Sequence, residues 1–249
     1  MQEMKFSTKA LLVAATVFIL VFISGPLGYR FLGVALQPSL VSVIVAVIGG
    51  LVLSFFSAYY IFQNSRMGLS WDRKICLLSM IVSLLPTIVM APQILSAVSV
   101  PPIHDISTDT ENPPEFVVAK SFRESFPNSS EYGDEAWPPE KLASATLTAY
   151  PEIKSIVSNL NLVDSLKKSG EVLVSMGMEI ISMDASYGRI EAVDTSFWFG
   201  FKDDLVLRIK EQDNGVIVDV RSKSRVGQSD LGVNAARIKE FTEKFSSPN

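Results

Sequence analysis

Three stretches of this chain, residues 10–29, 40–62 and 75–100, contain no Asp, Glu, Lys, Arg or His. Each is long enough to cross a hydrocarbon core, which takes about 20 helical residues. A run of that length cannot be an exposed helix of a soluble domain, so residues 1–100 are expected to form a membrane anchor of three transmembrane helices. Lys5 and Lys9 precede the first run as they would in a signal peptide, but no small-residue cleavage pattern follows it, so it is read as retained. Pro86 and Pro92 fall inside the third run, where neighbouring helices can satisfy the freed carbonyls. The runs hold no intramembrane carboxylate, histidine or arginine of the kind that marks a transport path.

Flanking charge gives the orientation. Lys5, Lys9, Arg66, Arg73 and Lys74 fall on one side and Arg30 alone on the other, which predicts a cytoplasmic amino terminus. Three crossings then deliver everything after residue 100 to the far side, the periplasm if the membrane is a bacterial inner membrane. In the second run Ala46, Gly50, Ser54 and Ala58 recur every fourth residue. This small-residue stripe lets another helix come close, either inside the anchor or in a homodimer or envelope protein partner.

The rest of the chain has the opposite character. The whole sequence carries 22 basic and 26 acidic residues; residues 1–100 hold six of the former and two of the latter. Residues 101–249 are left with 16 and 24, a net charge of −8. Such a domain repels phosphate backbones, so nucleic acid is not expected as a partner. One cysteine, Cys76, allows neither an internal disulfide nor a cysteine zinc site.

Residues 101–150 are rich in Pro, Ser, Asn and acids with scattered rings, and read as an extended, mostly irregular segment wrapping the domain. Residues 151–249 are regular. Asn161 with Asp164 forms a capping pair ahead of a helix over 162–176, and Gly177 sits where a left-handed cap belongs. Four strands are predicted at 178–184, 188–196, 203–210 and 216–222, then a helix over 232–245 with Ser229 or Asp230 at its cap. Asn214-Gly215 signals a two-residue hairpin loop. That loop pairs Lys210 with Asp219 and Arg208 with Arg221, and buries Leu205, Leu207, Ile209, Val218 and Val220 on one face. The expected class is α+β, a four-stranded antiparallel sheet packed against helices.

Several stretches carry a resemblance: Pro102-Ile103-His104-Asp105-Ile106-Ser107-Thr108-Asp109, Ala149-Tyr150-Pro151-Glu152-Ile153, Phe199-Gly200-Phe201-Lys202-Asp203-Asp204, and Asp219-Val220-Arg221-Ser222-Lys223-Ser224-Arg225-Val226-Gly227-Gln228-Ser229-Asp230-Leu231-Gly232-Val233-Asn234. Together they resemble the domain-of-unknown-function family numbered 1499, over about residues 101–245. Its members occur in bacteria and plastids, often behind hydrophobic segments. The resemblance implies no activity, substrate or cofactor.

Two like charges opposed in a hairpin need an acceptor between them. For Arg208 and Arg221 that acceptor is either an internal carboxylate (Glu191, Asp204 or Asp230) or a bound anion. Arg208, Arg221, Ser222, Ser224, Arg225, Asp230, Asn234 and Arg237 are the candidate ligand-binding set, with a structural network that pins the loop 222–232 as the alternative. His104, Asp105 and Asp109 are weaker metal candidates, because a single histidine rules out a two-histidine site and 105–116 fails the calcium-loop pattern. The aromatic run Phe197, Trp198, Phe199 and Phe201 reads as core or membrane-facing contact, or as a pocket wall for a hydrophobic ligand. The functional expectation is a membrane-anchored, periplasm-facing binding or scaffolding module that needs no cofactor and recognises an anionic or lipid-like ligand or a partner protein. The alternative is a membrane-surface hydrolase with an arginine-lined anion site and Asp230 or His104 as base.

Overall fold

A computed structural model describes residues 4–247 and divides into two compact units, Met1–Leu95 and Ser96–Asn249. Helices and strands are numbered separately in chain order. The first unit is built from α1 (Phe6–Leu32), α2 (Leu36–Arg66) and most of α3 (Ser70–Ser99), all three long and apolar enough to cross a membrane. Small residues let the helices approach. A side chain at Gly25 would strike the Ser39 carbonyl of α2, and one at Gly50 would strike the Ser83 carbonyl of α3. Ala46 and Gly50 of the predicted stripe are thus occupied inside the anchor, whereas Ala58 is exposed and Ser57 is buried in its place. A period of 3.6 rather than 4 carries the inward face from Ser54 to Ser57.

The second unit is α+β, as expected. Its strands are β1 (Asp105–Ser107), β2 (Ile156–Ser158), β3 (Glu179–Asp184), β4 (Arg189–Thr195), β5 (Lys202–Gln212) and β6 (Gly215–Ser224). They form one antiparallel sheet in the order β1-β6-β5-β4-β3, with β2 beside β6 further along the edge that β1 occupies. The sheet has six strands, where four were expected. β1 and β2 are three residues each, too short to show an alternating pattern.

The segment 101–150 is more regular than expected, since besides β1 it holds α4 (Val118–Arg123) and α5 (Pro139–Ala149). Together with α5, helices α6 (Leu162–Ser175) and α7 (Val233–Ser246) cover one face of the sheet. Leu142, Leu166, Leu173, Ile238, Phe241 and Phe245 meet Ile190, Leu205, Leu207, Ile209, Val218 and Val220 there. The Asn161 side chain accepts the Asp164 N–H at 2.8 Å and caps α6, and Gly177 follows α6 at φ 80°.

The β5–β6 hairpin differs from the expected one by two residues. Gln212 pairs with Gly215 across a loop of Asp213 and Asn214, so Arg208 faces Asp219 and Val206 faces Arg221. Gly215 serves another purpose than turning the chain. It lies at φ 139° where β2 crosses closely, and a Cβ there would sit 2.0 Å from the Ser158 carbonyl oxygen. A two-residue slip preserves which face each side chain takes, so the predicted buried set survives while every cross-strand partner changes.

Candidate functional site

Strand alternation turns Glu191, Asp204, Arg208, Asp219, Arg221 and Lys223 away from α5–α7, toward the segment 108–137 that covers the other face. Asp105 of β1 grips Arg221 with both oxygens, Oδ1 to Nε at 2.9 Å and Oδ2 to Nη2 at 3.0 Å. Arg221 also donates to the carbonyls of Pro114 and Ser130, and its guanidinium lies over the rings of Phe116 and Tyr132. Lys223 Nζ stands 3.3 Å from the same Asp105 carboxylate and donates to the carbonyls of Glu131 and Gly133. Burial alone would raise the Asp105 pKa, but Arg221 and Lys223 outweigh it and hold the carboxyl below its ordinary value. The Lys223 ammonium is pushed down by burial, against the pull of Asp105.

Next along this face, the buried Asp204 carboxylate takes two arginines. Arg225 donates through Nε at 2.9 Å and Nη2 at 2.7 Å, and Arg123 of α4 through Nη1. Arg123 goes on to the Ser224 carbonyl at 2.7 Å, which ties the covering segment to the end of β6. Glu191 accepts the backbone N–H groups of Val117, Val118 and Ala119 at 2.8–3.0 Å and closes the first turn of α4. Arg208 bonds Asp219 and, at 2.9 Å, Asp109.

A second polar group lies at the α7 side. Asp194 and Asp203 are directly opposed across β4 and β5, and Arg237 Nη2 neutralises both, at 2.6 and 2.9 Å. Its Nη1 donates to Ser222 Oγ and Asn234 Oδ1. Asn234 Nδ2 donates to the His104 carbonyl and to Ser224 Oγ, each at 3.0 Å. Asp230 accepts the N–H groups of Gly232 and Asn234, at 2.8 and 2.9 Å, at the start of α7. Burial raises the Asp230 pKa against those two bonds.

The apolar opening of this domain lies elsewhere. A groove of about 730 Å³ runs between α6 and β3, lined by Val163, Leu166, Gly170, Val174, Ile180 and Met183. Ile180 and Met183 are three apart, a spacing that ordinary alternation sends to opposite faces. A bulge between Ile180 and Ser182 corrects the count, so the two pair with Ala192 and Ile190 on one face while Ile181 packs on Phe116 and Ala119 on the other. β3 ends the sheet order, so among the described residues one side of its backbone has no strand beside it.

The sequence profile of a family described as "Protein of unknown function (DUF1499)" matches residues 105–245, more than half of the chain. The chain belongs to that family. No curated protein matches it.

Within the DUF1499 domain the eight candidate residues do not converge on one site. Arg208, Arg221 and Arg225 lie on the face under segment 108–137, whereas Ser222, Ser224, Asn234 and Arg237 lie on the α7 side with Asp230 at the start of that helix. Arg208 and Arg221 share no acceptor: Asp219 and Asp109 serve the first, Asp105 the second. His104, Asp105 and Asp109 do not converge either, because Asp105 is held by Arg221 and Lys223 and Asp109 by Arg208. Among the described residues no three His, Cys, Asp or Glu side chains gather as a metal would need. His104 is buried, with Nδ1 3.4 Å from the Gln228 carbonyl and Nε2 3.6 Å from Asp134; burial first, and the Lys223 charge second, lower its pKa. Arg123 and Lys223 were not among the candidates. Lys223 alternates with Arg221 in β6, a signal that was legible, whereas nothing local marks Arg123.

Proposed function

We propose that this DUF1499 protein is a membrane-anchored binding module whose soluble domain works on the non-cytosolic side, in bacteria at the periplasmic face of the inner membrane. Its docking element is the free edge of β3 with the groove beside it, and the occupant is an extended apolar segment of a partner protein. The observation that carries this reading is the coincidence of an unpaired strand edge with the groove beneath it. Main-chain bonds along β3 would supply affinity, and Val163, Val174, Ile180 and Met183 would receive every second side chain of the added strand. The arginines lend less support to an anionic ligand. Such a ligand would have to displace Asp105 from Arg221, Asp204 from Arg225, or Asp194 and Asp203 from Arg237, and leave a carboxylate buried without its cation.

The test is a photo-crosslinking amino acid placed at Val174 in the full-length protein in living cells, with the same probe at Lys239 as control. A discrete heavier adduct at Val174, absent at Lys239 and lost when Met183→Arg is added, is the expected result. Cells in which the Val174 probe yields only the uncrosslinked chain would overturn the reading.

A further inference from the structure

The turn that joins β4 to β5, residues 196–201, is Ser-Phe-Trp-Phe-Gly-Phe. Its backbone closes on itself. The Ser196 N–H donates to the Phe201 carbonyl at 2.8 Å, the Gly200 N–H to the Ser196 carbonyl at 3.0 Å, and the Phe201 N–H to Ser196 Oγ at 2.9 Å. Phe199 stacks on Phe201 with ring centroids 5.0 Å apart, which stiffens the base of the turn. At its tip Phe197 is 83% exposed and Trp198 43%, their rings edge to face at 6.3 Å. A stiff tip that presents a phenylalanine and a tryptophan, with the base of its turn closed by internal hydrogen bonds, suits contact with a surrounding apolar medium.

This tip stands at the end of the sheet where the chain joins the domain. Thr195 pairs with Lys202, and the Lys202 carbonyl accepts the Arg225 N–H at 3.0 Å. The neighbouring Ser224 donates its N–H to the His104 carbonyl at 3.0 Å, and the Ile103 carbonyl accepts the Asp230 N–H at 3.1 Å. The base of the turn and residues 103–104 therefore lie at one rim, two to three strands apart, roughly 10–15 Å at ordinary strand spacing. Only residues 100–104 separate Ser99, the last residue of apolar α3, from β1. A bilayer crossed by α3 must end within a short reach of that rim. Net charge does not supply the attraction, since residues 101–249 carry −8 and an anionic surface repels them.

We propose that Phe197 and Trp198 insert into the interfacial layer of the bilayer that α3 crosses, a second lipid contact that braces the DUF1499 domain against the membrane surface. The inference rests on the reading of α1–α3 as membrane spans. The Trp198 indole, apolar with one N–H edge, favours that layer, the apolar Phe197 ring beside it adds buried surface, and the contact needs no anionic headgroup.

The three tryptophans, Trp71, Trp137 and Trp198, allow both readings to be tested in one experiment. Full-length variants that keep a single tryptophan, the other two replaced by Phe, are reconstituted into phosphatidylcholine vesicles brominated high on the acyl chains. Trp71, at the start of α3, reports on the anchor. Expected are a loss of Trp198 emission as large as that of Trp71 and no change with added salt. Quenching of Trp71 without quenching of Trp198, including a Trp198 that is blue-shifted yet unquenched inside a protein contact, overturns the inference and leaves the anchor standing. Absence of quenching at Trp71 overturns the anchor and this inference with it. Should a single-tryptophan variant fail to fold, a spin label at Phe197→Cys in a Cys76→Ser background replaces it. Greater collision with dissolved oxygen than with a water-soluble nickel complex supports insertion, and the reverse refutes it.

Discussion

A carboxylate buried between two guanidiniums is costly to remove from this domain. Asp204 holds Arg123 and Arg225, all three buried, so Asp204→Ala leaves two cations away from water with one fewer counter-charge. Loss of one partner of a buried ion pair costs about 3–5 kcal/mol, and two guanidiniums put Asp204→Ala at the upper end of that range. Denaturant titration of the purified full-length protein checks this; a change under about 1 kcal/mol would place Asp204 outside the group of structural ion pairs. The same groups set the acid response. The Asp105 pKa is depressed, so the stability it contributes is complete above its ordinary value of 3.8 and disappears as pH falls through the folded value below that. His104 is also depressed, but as a base: the unfolded chain takes up its proton near 6.5 and the folded chain only at lower pH, so stability declines as pH drops below 6.5. His104→Gln should flatten that upper part of the curve and leave the steeper loss below 3.8 in place. Melting temperature followed from pH 7 to pH 3 separates the two, and an unchanged slope between 6.5 and 4 in the variant refutes the assignment to His104.

Elements were legible in proportion to their length. Helix α6 with its Asn161 cap, α7 and the four longer strands follow from periodicity, because each is long enough for its pattern to repeat, although α7 is capped by Gly232 and not by Ser229 or Asp230. The short strands β1 and β2 and helix α4 are stabilised by partners more than thirty residues away, and no local pattern records such pairing. The hairpin register departs from the one that Asn-Gly predicts for a physical reason. Asn-Gly signals a turn only when the glycine's freedom is used for turning, and at Gly215 it is used to admit β2. Candidate residues suffered accordingly: an opposition of Arg208 and Arg221 required a shared acceptor, whereas the true register sets Arg208 against Asp219 and removes that requirement. Like charges do face each other elsewhere, at Asp194 and Asp203, and Arg237 supplies the neutralising group from a helix far along the chain. Gly215→Ala is therefore expected to destabilise the domain by about 2 kcal/mol or more, through an unfavourable φ and a collision with Ser158. Asn214→Ala, at a position without positive φ, should cost far less. Paired thermal melts decide the point: equal losses would mean that the turn, not the approach of β2, selects the glycine.

At the scale of the whole molecule the sequence joins two polymers of different character, three helices long and apolar enough to cross a membrane and a domain with a surplus of acids. On the proposed membrane topology, the expected side of the domain rests on five basic residues against one. Lys5, Lys9, Arg66, Arg73 and Lys74 flank the ends that share a side with the amino terminus, and Arg30 stands alone near the loop between α1 and α2. Basic residues close to helix ends are retained on the cytosolic side, and the bias here is concentrated within a few residues of those ends, where it acts most strongly. A carboxy-terminal alkaline phosphatase, which folds only outside the cytosol, should be active when fused to the full chain, and a fluorescent protein that matures only in the cytosol should stay dark. Moving the bias should move the topology. Replacing Arg66, Arg73 and Lys74 by Gln, while Gly33 and Val34 become Arg, gives two basic residues on the first side and three on the second, and part of the population should then show the reverse pattern of reporters. A wild-type fusion that glows in the cytosol would put the β3 groove on the cytosolic side, and a charge-shifted variant whose reporters do not respond would mean that helix packing rather than charge orients the anchor.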